Sequence, residues 1–160
     1  MIANRFSKIG SIPELEDADL KALLERVTDY IAHRTSDKVK ISTHVPDSLP
    51  LVRLNVALFE WVIENLCKNA VDAMGGVGVL VISVQETSRY WCIDVADTGK
   101  GIDKRYFETV FVPGYTTKKR GWGLGLSLAR RIVVEYHSGS IFVKQSEINK
   151  GTIFRIELKK

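Results

Sequence analysis

Cysteine is scarce in this chain: two in 160 residues, Cys67 and Cys92, each inside an apolar run. A chain of this length can bury an adequate core without covalent staples, and the spacing of the two matches no metal-ligand pattern. Both therefore read as reduced core residues, which points to a reducing compartment. Long apolar runs are also missing. Nothing approaches the roughly 20 residues that cross a bilayer, and the N-terminal segment Met1-Ile2-Ala3-Asn4-Arg5-Phe6 lacks the apolar centre of a signal peptide. There is no internal repeat and no low-complexity tract. Charge of one sign is not in great excess. The net charge of +4 reads as a slightly basic solvated surface rather than a nucleic-acid face, although a bound polyphosphate would also favour a locally basic site.

What is present describes one soluble globular domain, 45% hydrophobic and 26% charged. Residues 1–16, with Gly10 and Pro13, read as a linker or the tail of something upstream. Asp17 or Asp19 then caps a helix in which Leu20, Leu23, Leu24, Val27, Tyr30 and Ile31 recur at helical spacing. Residues 39–45 alternate as a strand, and Pro46 and Pro50 mark a loop. A second helix spans 55–74 and stops at Gly75-Gly76. Two β-rich runs, 79–84 and 91–96, suggest a hairpin. Residues 97–122 are irregular and glycine-bearing. A third helix is expected over about 123–136, and runs at 140–144 and 152–158 form a closing pair. The fold class that follows is α+β: a two-layer sandwich whose mixed, mostly antiparallel sheet of about five strands is covered on one face by three helices.

Three features bear on chemistry. On the second helix, Phe59, Ile63, Cys67, Ala70 and Met74 share the core side, while Asn65, Asn69 and Asp72 share a narrow arc opposite. A solvated stripe would be better served by Lys, Glu or Gln, which are stronger helix formers, and Leu58, Trp61 and Val62 border the arc. A polar arc with an apolar rim suits the wall of a cleft, where amide oxygens can ligate a hard cation such as Mg²⁺. Second, Asp97-Thr98-Gly99-Lys100-Gly101-Ile102-Asp103 ends an apolar strand. It is compatible with an ordinary turn, but also with a carboxylate meeting a ligand's amino group beside glycines that permit close approach. Third, Gly121-Trp122-Gly123-Leu124-Gly125-Leu126-Ser127-Leu128 opens a helix, a place that favours anions. A Rossmann loop is disfavoured because this one precedes the last helix rather than following the first strand.

Taken in order, these motifs resemble the GHKL ATPase superfamily. Asn65-Leu66-Cys67-Lys68-Asn69-Ala70 is similar to its N box, Asp97-Thr98-Gly99-Lys100-Gly101 to its G1 box, Tyr106-Phe107-Glu108-Thr109-Val110-Phe111 to its F box and Gly121-Trp122-Gly123-Leu124-Gly125-Leu126 to its G2 box. The closing Gly151-Thr152-Ile153-Phe154-Arg155-Ile156 is similar to the terminal strand of histidine kinases. The likeness covers roughly residues 17–158. It implies the Bergerat fold over residues 17–160 and ATP with Mg²⁺ as cofactors.

The resemblance also implies roles. Asn69 would ligate Mg²⁺, Asn65 would support it one turn earlier, and Asp72 would lie beside them. Asp97 would accept from the adenine amino group, with Gly99, Gly101 and Ile102 beside the base and Thr152 nearby. Gly121, Gly123, Leu124, Gly125 and Leu126 would line the phosphates. Phe107 and Phe111 would anchor a lid over about 104–122, from which Lys118 could reach the terminal phosphate; a solvated charged tip is the alternative for Lys118. Gyrase and mismatch-repair members carry a general-base glutamate four residues before the metal-binding asparagine. Asn65 stands there instead and cannot accept a proton at neutral pH, which implies poor hydrolysis and phosphoryl transfer to a protein side chain.

For a sensor histidine kinase, the implied partners are a histidine-bearing dimerisation domain and a response regulator. The parent would be a homodimer, with this domain in the cytoplasm beneath an inner-membrane sensor, and no nucleic acid is implied. His33, His44 and His137 lack acceptor context and are expected to be surface or capping residues, so the acceptor is expected outside this chain. Pro113-Gly114-Tyr115-Thr116-Thr117-Lys118 is similar to the nitrogen-regulation type. The alternatives are a standalone anti-sigma-type serine kinase and a nucleotide-driven module of a chaperone or topoisomerase.

Overall fold

Asp19 sets the first helix. Its Oδ1 accepts the Ala22 N–H at 3.0 Å, and α1 (Leu20–His33) buries Leu20, Leu23, Leu24, Val27 and Ile31, the stripe expected from the spacing. Tyr30 departs from it: its ring is part-exposed beneath the Arg34 guanidinium, 3.8 Å from the ring centre. The computed structural model describes residues 13–116 and 124–160.

Strand β2 (Val39–His44) follows, then β3 (Val52–Leu54), α2 (Val56–Met74), β4 (Gly78–Glu86) and β5 (Tyr90–Asp97). Two 3₁₀ turns, Lys104–Tyr106 and Thr109–Phe111, interrupt what the sequence suggested was irregular. Helix α3 (Gly125–Arg131) runs directly into a π turn (Ile132–Tyr136), and β6 (Ser140–Glu147) and β7 (Gly151–Lys159) close the described chain. The sheet order is β2-β4-β5-β7-β6, with β2 parallel to β4 and every other pair antiparallel. The expected mixed five-stranded sheet under helices is therefore the observed fold. Leu80, Ile82, Ile93, Ile141 and Ile156 of the sheet and Phe59, Ile63 and Leu66 of α2 are almost wholly buried between the layers.

Two features were not foreseen. Strand β1 (Glu16–Ala18) pairs antiparallel with β3, Glu16 opposite Leu54, so ordered pairing begins one residue inside the stretch expected to be linker. Strands of three residues are too short to show a period of two in sequence. The β6–β7 ladder also shifts register between Val143 and Gln145, so one extra residue sits on β6.

Of the three histidines expected to be surface or capping residues, His137 takes the capping role at the end of the π turn. It is buried there, not on the surface. Its Nδ1 lies 3.0 Å from the Ile132 carbonyl, five residues back across the π turn, and its Nε2 accepts the Asn55 N–H at 3.0 Å. Asn55 in turn caps α2, its Oδ1 accepting from Leu58 N–H at 3.0 Å. The imidazole thus ties the end of the last helix to the start of α2, a tertiary contact 82 positions apart in sequence. Burial pushes its pKa below the ordinary 6.5, opposed by the bond to Ile132. A depressed histidine pKa means the unfolded chain binds more protons, so stability is present above 6.5 and is lost as pH falls toward the lowered value. The melting temperature should accordingly drop between pH 6.5 and 5, and less steeply in His137→Gln. At pH 7.5 that variant should lose about 1–3 kcal/mol through the orphaned Asn55 N–H. Parallel pH profiles would contradict this.

Candidate functional site

Helix α2 carries the first wall of the site. Phe59, Ile63, Cys67, Ala70 and Met74 are all buried, as the periodicity predicts, and Leu58, Val62 and Leu66 are buried too because the helix also packs on α1 and α3. The Cys67 thiol is pushed up to about 12, chiefly by burial, so it is an inert core residue; both cysteines are free. On the remaining arc, Asn65 and Asn69 are half-buried and Asp72 is exposed. Gly75, in the left-handed region at φ 63°, ends the helix.

The start of α3 meets α2 at Asn65. A Cβ added to Gly125 would lie 2.6 Å from Asn65 Oδ1 and 3.0 Å from its Nδ2, so a side chain there would displace the Asn65 amide from the helix start. The Asn65 Nδ2 is buried without a hydrogen-bond partner. A buried amide donor left unpaired costs about 1–3 kcal/mol, and an incoming acceptor oxygen, such as a phosphate's, is the group that would satisfy it. No side chain caps the start of α3 at Leu124. Leu124 is exposed, while Leu126 is half-buried and packs on the core.

Asp97 forms the opposite end. It is buried at the tip of β5, directly across from Thr152 of β7. Its Oδ1 accepts the Gly99 N–H at 2.8 Å. Burial raises its pKa, and backbone bonds from Gly99 and Thr152 oppose that rise. Gly99 backs onto the last turn of α2, where an added Cβ would sit 2.6 Å from the Ala73 carbonyl oxygen. The Lys100 N–H bonds that same carbonyl at 2.9 Å. The carboxylate is therefore delivered to the polar arc of α2 by backbone contacts that tolerate no side chain.

The two aromatic residues expected to anchor a lid are seated. Phe107 packs on the core, and Phe111 is buried edge-on to Phe154, ring centres 6.0 Å apart. Sequence reasoning missed Arg130 of α3. Its guanidinium lies 4.1 Å over the Phe111 ring and pairs with Glu108 at 3.2 Å. The aromatic side of that contact was legible; its cationic partner, far along the chain on α3, carried no local signal. Lys118, Gly121 and Gly123 lie outside the described residues.

Among the described residues no cluster of three or more His, Cys, Asp or Glu side chains could hold a metal. A cation here would rely on asparagine oxygens and on oxygens of the ligand, which suits Mg²⁺. A polar arc, an orphaned amide facing a helix start and a buried carboxylate at a strand tip fit a nucleotide better than any other small ligand class.

The model of histidine kinase-, DNA gyrase B-, and HSP90-like ATPases matches residues 55–160. The chain belongs to this ATPase family. The matched span begins at the cap of α2 and includes every site residue described above. Relatives include the sensor histidine kinase ZraS of Escherichia coli, 32% identical over 145 residues, covering 90% of this chain and 31% of ZraS. Sporulation kinase C of Bacillus subtilis is 37% identical over 59% of this chain and 22% of its own length. The chain thus spans a third or less of these two kinases. A solved structure of the catalytic domain of histidine kinase ThkA, nucleotide-free, superposes with a TM-score of 0.82 at 26% identity, over 92% of this chain and 96% of that one. Within the family the nucleotide is ATP, and among the described residues no helix is long and apolar enough to cross a membrane.

Proposed function

We propose that this chain binds Mg²⁺-ATP and passes the γ-phosphoryl group to a histidine on a separate dimerisation domain. The observation that carries this reading is Asn65: an amide stands where hydrolytic relatives keep a glutamate base, and its buried nitrogen waits for an acceptor. An amide neither takes a proton from water nor competes with a protein nucleophile.

The residues divide the work. Asn69 would hold Mg²⁺ with Asn65 in support and Asp72 beside them. When bound, that ion supplies charge neutralisation on the phosphates. Asp97 accepts from the adenine amino group, with Gly99, Gly101, Ile102 and Thr152 shaping the base site. By the same resemblance Gly121, Gly123, Leu124, Gly125 and Leu126 would line the phosphates, Phe111 would anchor the lid, and Lys118 would meet the terminal phosphate. In phosphoryl transfer such positioning and neutralisation provide most of the rate.

Residues 17–160 are then the catalytic domain, and 1–16 a linker or the tail of a phosphoacceptor hairpin. The parent protein is a homodimeric sensor whose cytoplasmic catalytic domain lies beneath the inner membrane and serves a response regulator. The relative named as a sensor histidine kinase supports the sensor reading. The run Pro113-Gly114-Tyr115-Thr116-Thr117-Lys118 argues for the nitrogen-regulation type.

Phosphate release tests the central role of Asn65. The chain alone should bind Mg²⁺-ATP and release phosphate only slowly, and Asn65→Glu should speed release, toward the roughly 100-fold a positioned base can supply. Rapid release by the unaltered chain would contradict the assignment.

A further inference from the structure

We infer that Ser146 is a positioning residue for base recognition, placed there by the irregularity in β6. This rests on the nucleotide reading above and names a determinant that reading does not use. Before the register shift, Val143 opposes Phe154; after it, Gln145 opposes Ile153 and Ser146 opposes Thr152. Strand side chains alternate faces, so one inserted residue exchanges the inward and outward sets. Without the bulge Gln145 would oppose Thr152. With it, Ser146 does, on the same side as Thr152 and its other cross-strand neighbour, Asp97.

The hydroxyl of Ser146 then serves three groups. It accepts the Ile102 N–H at 2.7 Å, donates to the Gly151 carbonyl at 3.1 Å and lies 2.7 Å from Thr152 Oγ1. A serine hydroxyl has one proton and two lone pairs. With the proton on Gly151 and one lone pair on Ile102, the Thr152 hydroxyl is left to donate to the second lone pair. Thr152 Oγ1 therefore keeps its own lone pairs for a ligand, beside the Asp97 carboxylate. Two adjacent acceptors favour a base edge that presents an amino group and disfavour one that presents a carbonyl.

The surroundings hold this arrangement still. A Cβ on Gly101 would fall 2.2 Å from the Glu147 carbonyl oxygen, and one on Gly151 would fall 1.9 Å from that of Asp97. The Asn149 N–H bonds the Lys100 carbonyl at 2.8 Å. The loop after β5 and the β6–β7 turn are thus locked backbone to backbone, and Ser146 is the side chain at the centre of the seam.

The test is titration of this chain with ATP and with GTP. Ser146→Ala should weaken ATP about 10-fold, as expected for losing one to two hydrogen bonds. It should lower the ATP-to-GTP preference, and the freed Ile102 N–H should lower the melting temperature by about 3–10 °C without unfolding the domain. Ser146→Thr, which keeps the hydroxyl, should restore both affinity and preference to within about 3-fold. An unchanged preference after Ser146→Ala, including equal weakening of both nucleotides, would overturn the inference. Asp97→Asn, run in parallel, separates the two readings. If it weakens ATP while Ser146→Ala does not, only the role of Ser146 fails. If neither does, the base-site reading itself fails.

Discussion

Asp97→Asn should strip the domain of ATP without making it less stable. In the wild type the buried carboxylate can accept a hydrogen bond from the adenine amino group; asparagine would turn a donor toward that donor. Hydrogen bonds to charged groups are worth about 1.5–3 kcal/mol, or roughly 10- to 150-fold in Kd. GTP should suffer less, because its base offers an acceptor at the corresponding edge. Stability moves the other way for a reason visible in the fold. Burial raises the Asp97 pKa, more than its bonds from Gly99 and Thr152 lower it. A raised carboxyl pKa means the folded state resists ionisation. That cost is absent below the ordinary carboxylate range and fully present above the raised value, so it weighs on the fold at neutral pH. The asparagine escapes it and keeps one oxygen to accept from Gly99, which offsets a weakened bond from Thr152. Melting curves at pH 7 should show an unchanged or higher midpoint, beside titrations showing lost affinity. A variant that binds ATP normally would remove Asp97 from the base site.

Asn69→Ala should abolish the advantage that Mg²⁺ gives to ATP. The wild-type chain is expected to bind ATP more tightly with Mg²⁺ than with a chelator, and the variant to bind equally in both. Phosphotransfer should fall by roughly 10²–10³, since neutralising phosphate charge is worth several kcal/mol in the transition state. Alanine is a better helix former than asparagine, so α2 should persist. Retention of the full Mg²⁺ effect would count against Asn69 as the ligand.

The elements whose residues speak locally were legible in the sequence. The core face of α2 followed from Phe59, Ile63, Cys67, Ala70 and Met74 alone, its ends from Asn55 and Gly75-Gly76, and the first helix start was narrowed to Asp17 or Asp19 by capping chemistry, of which Asp19 is the cap. The N, G1, F and G2 boxes pointed to an ATPase through their resemblance, in order, to one superfamily. What stayed hidden depends on partners distant in the chain. The burial of His137 was hidden because its bond to Asn55 exists only once the end of the last helix meets α2. Arg130 gave no sign of gripping Phe111 and Glu108. The bulge that turns Ser146 toward Thr152 is a matter of register, and register is a property of two strands rather than one.

Phosphotransfer is the most direct test of the proposed activity. The chain would be mixed with Mg²⁺, ATP labelled at the γ-phosphate and a separate histidine-bearing hairpin domain, and the label on the hairpin assayed for acid and base stability. Label that is lost in acid and kept in base, and absent when Asn69→Ala replaces the chain, is the predicted result. Label that survives acid would identify serine as the acceptor and contradict a histidine kinase.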